Sequence, residues 1–205
     1  MSKNKWDQRR YQELLDLHKA LSLLSLDEIS AVLVNCLPSI LSVHFFTLFL
    51  YDKDKRELSL LCHNHPEIES SFSISLSSSP IMEAAILRGQ YIREQDFSTS
   101  SYYRGEYNPL FKKGYFVTIP LMIEQEIVGV LNINDVDQDS FNVGDLDFIL
   151  SLSEFIAMSI SNAVLYEQTR TLAVTDGLTG ISNRLNIDKS LLTEFERSIR
   201  YNSPL

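Results

Sequence analysis

The sequence predicts an α+β fold with a central antiparallel β-sheet, and three observations carry that prediction. Apolar residues recur at helical spacing over residues 6–41, at strand spacing through the middle of the chain, and at helical spacing again beyond about residue 142. Short charged segments, Asp52-Lys53-Asp54-Lys55-Arg56 and Glu124-Gln125-Glu126, sit between β-rich runs as hairpin turns do. The strands follow one another instead of alternating with helices, which favours antiparallel pairing. The expected layering puts the terminal helices on one side of the sheet.

Each element has its own local cause. Residues 6–24 read as a helix, with Tyr11, Leu14, Leu15, Leu17, Leu21 and Leu24 as its stripe. Within that stripe Leu14, Leu17, Leu21 and Leu24 alternate spacings of three and four, as a coiled-coil seam does. Ser25 and Asp27 offer caps for a second helix over 27–41, with Ile29, Val32, Leu33, Cys36 and Leu37 facing inward and Pro38 near its end. Phe45–Tyr51 and Glu57–His63 are expected to pair as a hairpin. Phe72, Ile74 and Leu76 alternate with serines, the pattern of a half-buried strand. Pro80 at a first helical position opens a short helix that Gly89 closes. Tyr91–Arg93 reads as a short strand, and residues 97–114 as irregular or weakly helical. Tyr115–Ile123 and Ile127–Asn134 form a second hairpin. Asn142-Val143-Gly144-Asp145 starts a long helix expected to reach about Thr175, where Gly177 and Gly180 break it. Its apolar residues, from Leu146 to Val164, cover more than one face, so one can meet the sheet and another a partner helix. Ile187, Leu191, Phe195 and Ile199 mark a last amphipathic helix over 186–200.

Composition narrows the function classes. The chain has 205 residues with 18 Lys+Arg and 27 Asp+Glu, a net charge of -9. The acid excess lies wholly in residues 1–170, which hold 14 basic and 23 acidic groups; residues 171–205 hold 4 of each. An acidic surface repels phosphate backbones and anionic membrane surfaces, so neither nucleic acid nor membrane is an expected partner. No apolar stretch is expected to approach the roughly 20 residues of a membrane span, and no apolar run follows the basic N-terminal residues as in a signal peptide. Cys36 and Cys62 have no paired spacing, so reduced thiols and a cytoplasmic setting are expected. None of the seven glycines forms a phosphate-cradling loop.

Two stretches resemble known families. Pro120-Leu121-Met122-Ile123-Glu124-Gln125-Glu126-Ile127-Val128-Gly129-Val130-Leu131-Asn132-Ile133 resembles the last hairpin of GAF domains. Phe141 and Asp145 resemble the GAF closing segment, and the order of elements over residues 10–170 is similar as well. Asp176-Gly177-Leu178-Thr179-Gly180-Ile181-Ser182-Asn183-Arg184 resembles the opening of GGDEF domains, with Ile181, Leu185 and Ile187 departing from the commoner Leu, Arg and Phe. The resemblances imply a signalling helix over 1–24, a GAF sensory domain over 25–170, and a linker with the start of a GGDEF domain over 171–205. They imply a GAF-like fold with the terminal helices on one sheet face and a ligand pocket under a lid on the other. The Gly-Gly-Asp-Glu-Phe loop that would hold GTP does not occur in these residues, so this stretch is not expected to make cyclic di-GMP. The parent protein is expected to be a diguanylate cyclase.

The candidate site follows from that resemblance. Phe97, Tyr102, Tyr103, Tyr107, Phe111, Tyr115 and Phe116 place seven of the 21 aromatics within twenty residues, in the region that covers the GAF pocket. Aromatic rings supply flat apolar walls, and Tyr hydroxyls can orient a polar edge. The ligand-binding residues implied are Phe97, Tyr102, Tyr103, Tyr107, Phe111, Phe116, Thr118 and Asn132; the alternative is an apolar lid core without a ligand. Asn134, Phe141 and Asp145 match the motif of nucleotide-binding GAF domains, but Asp135 and Leu146 stand where it carries Lys and Glu. The Lys–Asp pair would become Asp135 facing Asp145, two like charges, so the three matches read as a turn, a core Phe and a helix start. Cys62-His63 is similar to a bilin-holding pair but sits on an early strand. His63, His65 and Glu67 read as a polar turn and Asp135, Asp137 and Asp139 as a solvated loop, so no metal or cofactor is expected beyond an unidentified small molecule. Free methionine sulfoxide reductases share the GAF fold and use cysteine nucleophiles, but Cys36 and Cys62 fall on apolar element faces. The expected partner is a second copy, paired through the N- and C-terminal helices.

Overall fold

The computed structural model describes residues 12, 15–17, 19, 21, 25–41, 43–68, 71–94, 100–102, 115–134, 143–176, 179, 181–201 and 204. They divide into two compact units, Met1–Asn162 and Ala163–Leu205.

The first unit begins with helical residues 12, 15–17, 19 and 21, of which Leu17 and Leu21 are buried. Leu15 is half-buried, and Tyr11, Leu14 and Leu24 lie outside the described set. Helix α1, Leu26–Leu41, opens on a reciprocal cap. The Ser25 amide and hydroxyl each donate to Glu28 Oε2 over 2.8 Å, and the Glu28 amide donates back to Ser25 Oγ. Ile29, Leu33, Leu37 and Leu41 are buried at spacings of four. Val32 and Cys36 are only half-buried, because one helix face this narrow cannot seat every apolar side chain. Pro38 lies inside the last turn, where its missing N–H costs one internal bond.

Six strands follow: β1 Phe45–Asp52, β2 Glu57–His63, β3 Ser73–Ser75, β4 Ile92–Glu94, β5 Phe116–Ile123 and β6 Glu126–Asn134. They form one sheet in the order β3-β2-β1-β6-β5-β4, and every neighbouring pair is antiparallel. The two hairpins lie at the turns the sequence indicates. The second loop is two residues, Glu124 and Gln125, with Glu126 already in β6; Glu124 takes a left-handed φ of 54°. The alternation at Phe72, Ile74 and Leu76 is cut short: β3 spans only 73–75, and Leu76 begins a 3-10 turn where its amide donates to the Arg56 carbonyl. Helix α2, Pro80–Arg88, starts on Pro at its first position and stops at Gly89, whose φ of 60° is left-handed.

Strand alternation sorts the sheet into two faces. Phe46, Leu48, Val117, Ile119, Leu121, Leu131 and Ile133 make one, each at most 1% exposed. A bulge pairs Leu48 with Cys62 but Phe49 with Leu60, leaving Leu61 unpaired. That extra residue moves Cys62 off the face that holds Leu58 and Leu60 and onto the face of Leu48. There Ser30 of α1 bonds to it, which places α1 over this side. The opposite face packs Phe49, Leu58, Leu60 and Val130 against Met82 and Ile86 of α2. Gly129 stands opposite Leu50 in β1, and a Cβ there would strike the Phe49 carbonyl oxygen.

Helix α3, Val143–Val174, is 32 residues long. Its residues Ile149, Leu152, Ile156, Ala157 and Ile160 are at most 1% exposed. By length and composition the span Leu146–Thr171, mean hydropathy 1.7, would suffice to cross a membrane. This corrects the reading that nothing in the chain approaches such a span; the interspersed serines had hidden it. A core helix passes the same test, and the sealed face of α3 is that of a core helix.

The second unit holds the end of α3, a turn, and helix α4, Arg184–Tyr201. One residue joins the two helices. The Asn183 amide donates to the Val174 carbonyl over 2.9 Å and Asn183 Nδ2 to the Ala173 carbonyl over 2.7 Å, satisfying two end carbonyls of α3. Asn183 Oδ1 accepts from the Asn186 amide over 2.9 Å and so caps α4. Asp176 closes the turn by accepting from Thr179 N and Oγ1. Ile187, Leu191, Phe195 and Ile199 are each about half exposed or more along α4.

Candidate functional site

On the α2 side of the sheet lies a cavity of about 520 Å³, within the range of small-molecule sites. Alternate residues of three adjacent strands form its floor: Phe45, Thr47 and Phe49 of β1, Asn132 and Asn134 of β6, and Phe116 and Thr118 of β5. Ser78, Ser79, Ile81 and Met82, at and before the start of α2, make one wall. His65, Glu67, Ile68, Phe72 and Ile74 make the rim. The period of two explains the floor: Thr47 pairs with Asn132, and Asn132 with Thr118, so all three point the same way.

The three form a buried polar network. Thr118 Oγ1 donates to Asn132 Oδ1 over 2.9 Å. Asn132 Nδ2 donates to Thr47 Oγ1 over 3.1 Å and to Met82 Sδ over 3.3 Å. None of the three is more than 8% exposed. Burial this deep is tolerated only because each polar atom finds a partner.

His65 is 8% exposed and packs against Phe45 with ring centroids 4.3 Å apart and the planes tilted by 44°. Its Nδ1 accepts from the Glu67 amide over 3.2 Å, which leaves the proton of the neutral imidazole on Nε2. Among the described lining residues there is no Lys or Arg, and Glu67 is the one carboxylate. The start of α2 contributes only the partial positive end of its dipole, worth about 1 kcal/mol. Desolvating an anion costs several kcal/mol, so the dipole alone does not offset it.

The aromatic cluster is split. Phe116, Thr118 and Asn132 lie in the cavity floor. Tyr102, singled out as a ligand residue, is not in the lining: its ring faces the Arg88 guanidinium carbon at 5.8 Å. Phe97, Tyr103, Tyr107 and Phe111 lie outside the described residues, as do Asp135, Asp137, Asp139 and Phe141 and the side chain of Asp145. Tyr115 is buried with Arg93 over its ring at 5.3 Å. Burial pushes its hydroxyl upward in pKa, partly opposed by Arg93. Phe45, Thr47, Phe49, His65 and Met82 were not anticipated. One signal did mark the first three: Thr47 is the polar interruption in an otherwise apolar strand.

Among the described residues, no group of three His, Cys, Asp or Glu side chains could hold a metal ion. His63 is not in the lining, and its buried Nδ1 has no hydrogen-bond partner among the described residues. Cys62 is 5% exposed, and burial pushes its thiol up to about 12. A thiol held neutral in this way is not a nucleophile at neutral pH.

Comparison with solved structures places this architecture. The GAF domain of a phosphoenolpyruvate-protein phosphotransferase from Acinetobacter aligns with TM-score 0.65 and 17% identity, over 78% of this chain and 98% of that one. The corresponding domain from Coxiella burnetii gives 0.64 and 17%, over 78% and 96%. A free methionine-R-sulfoxide reductase from Neisseria meningitidis gives 0.63 and 13%, over 77% and 91%. At these identities the likeness concerns the fold alone. No curated protein matches the chain in sequence. The family model described as GAF domain matches residues 25–162, well over half of the 205 residues. The chain belongs to the GAF domain family, a family of sensory and regulatory domains.

Proposed function

We propose that this chain is a sensory module in which the cavity takes a small molecule and α3 carries the consequence toward residues 176–201. The buried Thr47–Asn132–Thr118 network on the floor of a 520 Å³ cavity supports this most directly. A floor needed only for stability would be filled by apolar side chains, as the opposite face is.

The transmission arm rests on α3. Met158 is 49%, Leu165 56% and Tyr166 69% exposed on this helix, and Met158 and Leu165 stand seven residues apart. That spacing fits a seam between two copies, so the proposed assembly is a homodimer paired through its terminal helices. The stretch Asp176–Arg184 supports a parent protein of cyclic di-GMP signalling, with a diguanylate cyclase as the domain regulated. Ligand binding would then bias the packing of the paired helices, which requires different affinities for two states.

Native mass spectrometry of protein purified from its own host tests both arms together. The expected species is a dimer carrying a small-molecule adduct. A ligand-free dimer would favour a purely structural dimerisation module, and a monomer at micromolar concentration would refute the paired-helix arm.

A further inference from the structure

We infer that the molecule taken up by the cavity is uncharged and aromatic, an inference that deepens the small-molecule reading above and rests on it. Three observations converge. The first is the charge of the lining. No Lys or Arg is among its described residues, and three described guanidinium groups of the same unit are engaged elsewhere. Arg56 Nη2 pairs with Glu83 Oε1 at 2.9 Å, Arg88 faces Tyr102, and Arg93 lies over Tyr115. An anionic group would therefore be stripped of water with no described cationic side chain to receive it. The one carboxylate among the described lining residues, Glu67, is solvent-exposed, so a cation gains little from it.

The second observation is the shape of the apolar surface. Phe45, Phe49, Phe72 and Phe116 all line the cavity, and Phe49 meets Phe72 edge-on with centroids 5.9 Å apart. Rings in such arrangements accept a further flat ring in stacked or edge-to-face contact.

The third is the hydrogen-bonding capacity left over on the floor. Both amide hydrogens of Asn132 are used, on Thr47 and Met82, and the Thr118 hydroxyl hydrogen is used on Asn132. The Thr47 hydroxyl hydrogen has no acceptor among the described residues, while Asn132 Oδ1 and Thr118 Oγ1 keep accepting capacity. The Thr47–Asn132–Thr118 network thus offers one donor beside two acceptors, and the Asn134 side-chain amide on the same floor adds further donors and an acceptor, all neutral. An amide, lactam or phenol edge on an aromatic body matches that set without any ionic group.

A matched pair of dyes tests the charge selectivity. N-phenyl-1-naphthylamine is uncharged, and 8-anilinonaphthalene-1-sulfonate carries a sulfonate on the same ring framework. An indole introduced at the rim by Phe72→Trp, in a Trp6→Phe background, reports occupancy of the cavity through energy transfer to the dye. Ile74→Trp serves as a second reporter should the first perturb folding. The uncharged dye is expected to half-saturate the quenching at a concentration about tenfold or more below the sulfonate. Hydrophobicity alone could produce that order, so Glu67→Lys is the deciding variant. At about 10 mM salt, where screening is weak, it should shift the ratio toward the sulfonate by about threefold. A sulfonate that binds as well as the neutral dye, or a ratio unmoved by Glu67→Lys, overturns the charge selectivity while leaving the pocket reading intact. If neither dye quenches either indole, the pocket reading itself fails and this inference with it.

Discussion

Thr118 Oγ1 donates to Asn132 Oδ1 over 2.9 Å, and the same Asn132 reaches Thr47 on its other side, so one side chain ties β5, β6 and β1 together. Asn132→Leu should therefore do more than remove a contact. It leaves the buried Thr118 and Thr47 hydroxyls without their partner, which costs about 1–3 kcal/mol. Urea denaturation at neutral pH reads this loss. The triple replacement of Thr47, Asn132 and Thr118 by Val, Leu and Val should recover much of it, because no polar group is then stranded. A triple variant no more stable than the single one would contradict the network.

Gly129→Ala is expected to destabilise through backbone crowding. Its Cβ would meet the Phe49 carbonyl oxygen, and neither strand can yield without disturbing the β1–β6 ladder. Overpacking of this kind costs on the order of 1–3 kcal/mol. Thermal unfolding compared with Gly89→Ala separates the causes. At Gly89 the added carbon meets only the end of Met122 at 3.5 Å, and the strain comes from its φ of 60° instead.

Cys62 predicts a pH dependence at the alkaline end. Burial holds its thiol neutral in the folded protein up to about 12, against an ordinary value near 9 when unfolded. Between those values the folded state binds more protons than the unfolded state, so stability falls as pH rises. The contribution is complete below pH 9 and is lost through about pH 12, a few kcal/mol in all. Denaturation midpoints of the wild type should fall more steeply over that window than those of Cys62→Ala. Equal slopes would show that the thiol is not the cause. In native protein at pH 8, a thiol reagent should label Cys36, which is half-buried, well before Cys62.

Asn183→Ala removes the clamp at the end of α3 together with the cap of α4. The cap alone is worth about 1 kcal/mol. Hydrogen exchange should accelerate over Arg184–Tyr201, while β1, β5 and β6 keep their protection. Uniform acceleration through the sheet would mean that the effect is global.

Much of the fold was legible because its signals are local. Ser25 with Glu28, Pro80 with Gly89, and the charged turn at 52–56 act over a few residues, and each marks its element boundary to within a residue or two. The errors have local explanations as well. The Phe72–Leu76 alternation is real, but the strand ends at Ser75, and Leu76 begins a 3-10 turn closed by the Ser79 amide donating to the Leu76 carbonyl. The membrane-span length of α3 escaped notice because serines interrupt the apolar residues without breaking the helix.

The site was legible only in part. Phe116, Thr118 and Asn132 could be named because a hairpin resemblance carried them. Thr47 was marked only as a polar break in an apolar strand, and its bond to an asparagine 85 residues away leaves no local signal.

The sequence by itself determined the order and type of the elements, the two hairpins and the family, since these depend on spacing along the chain. Tertiary structure decided which strands became neighbours, and so which alternate residues share a floor. It also decided that the bulge beside Leu61 turns Cys62 toward α1 instead of toward the cavity. The physical reason is that side-chain alternation is a property of one strand, whereas register between distant strands is set by burying both faces at once.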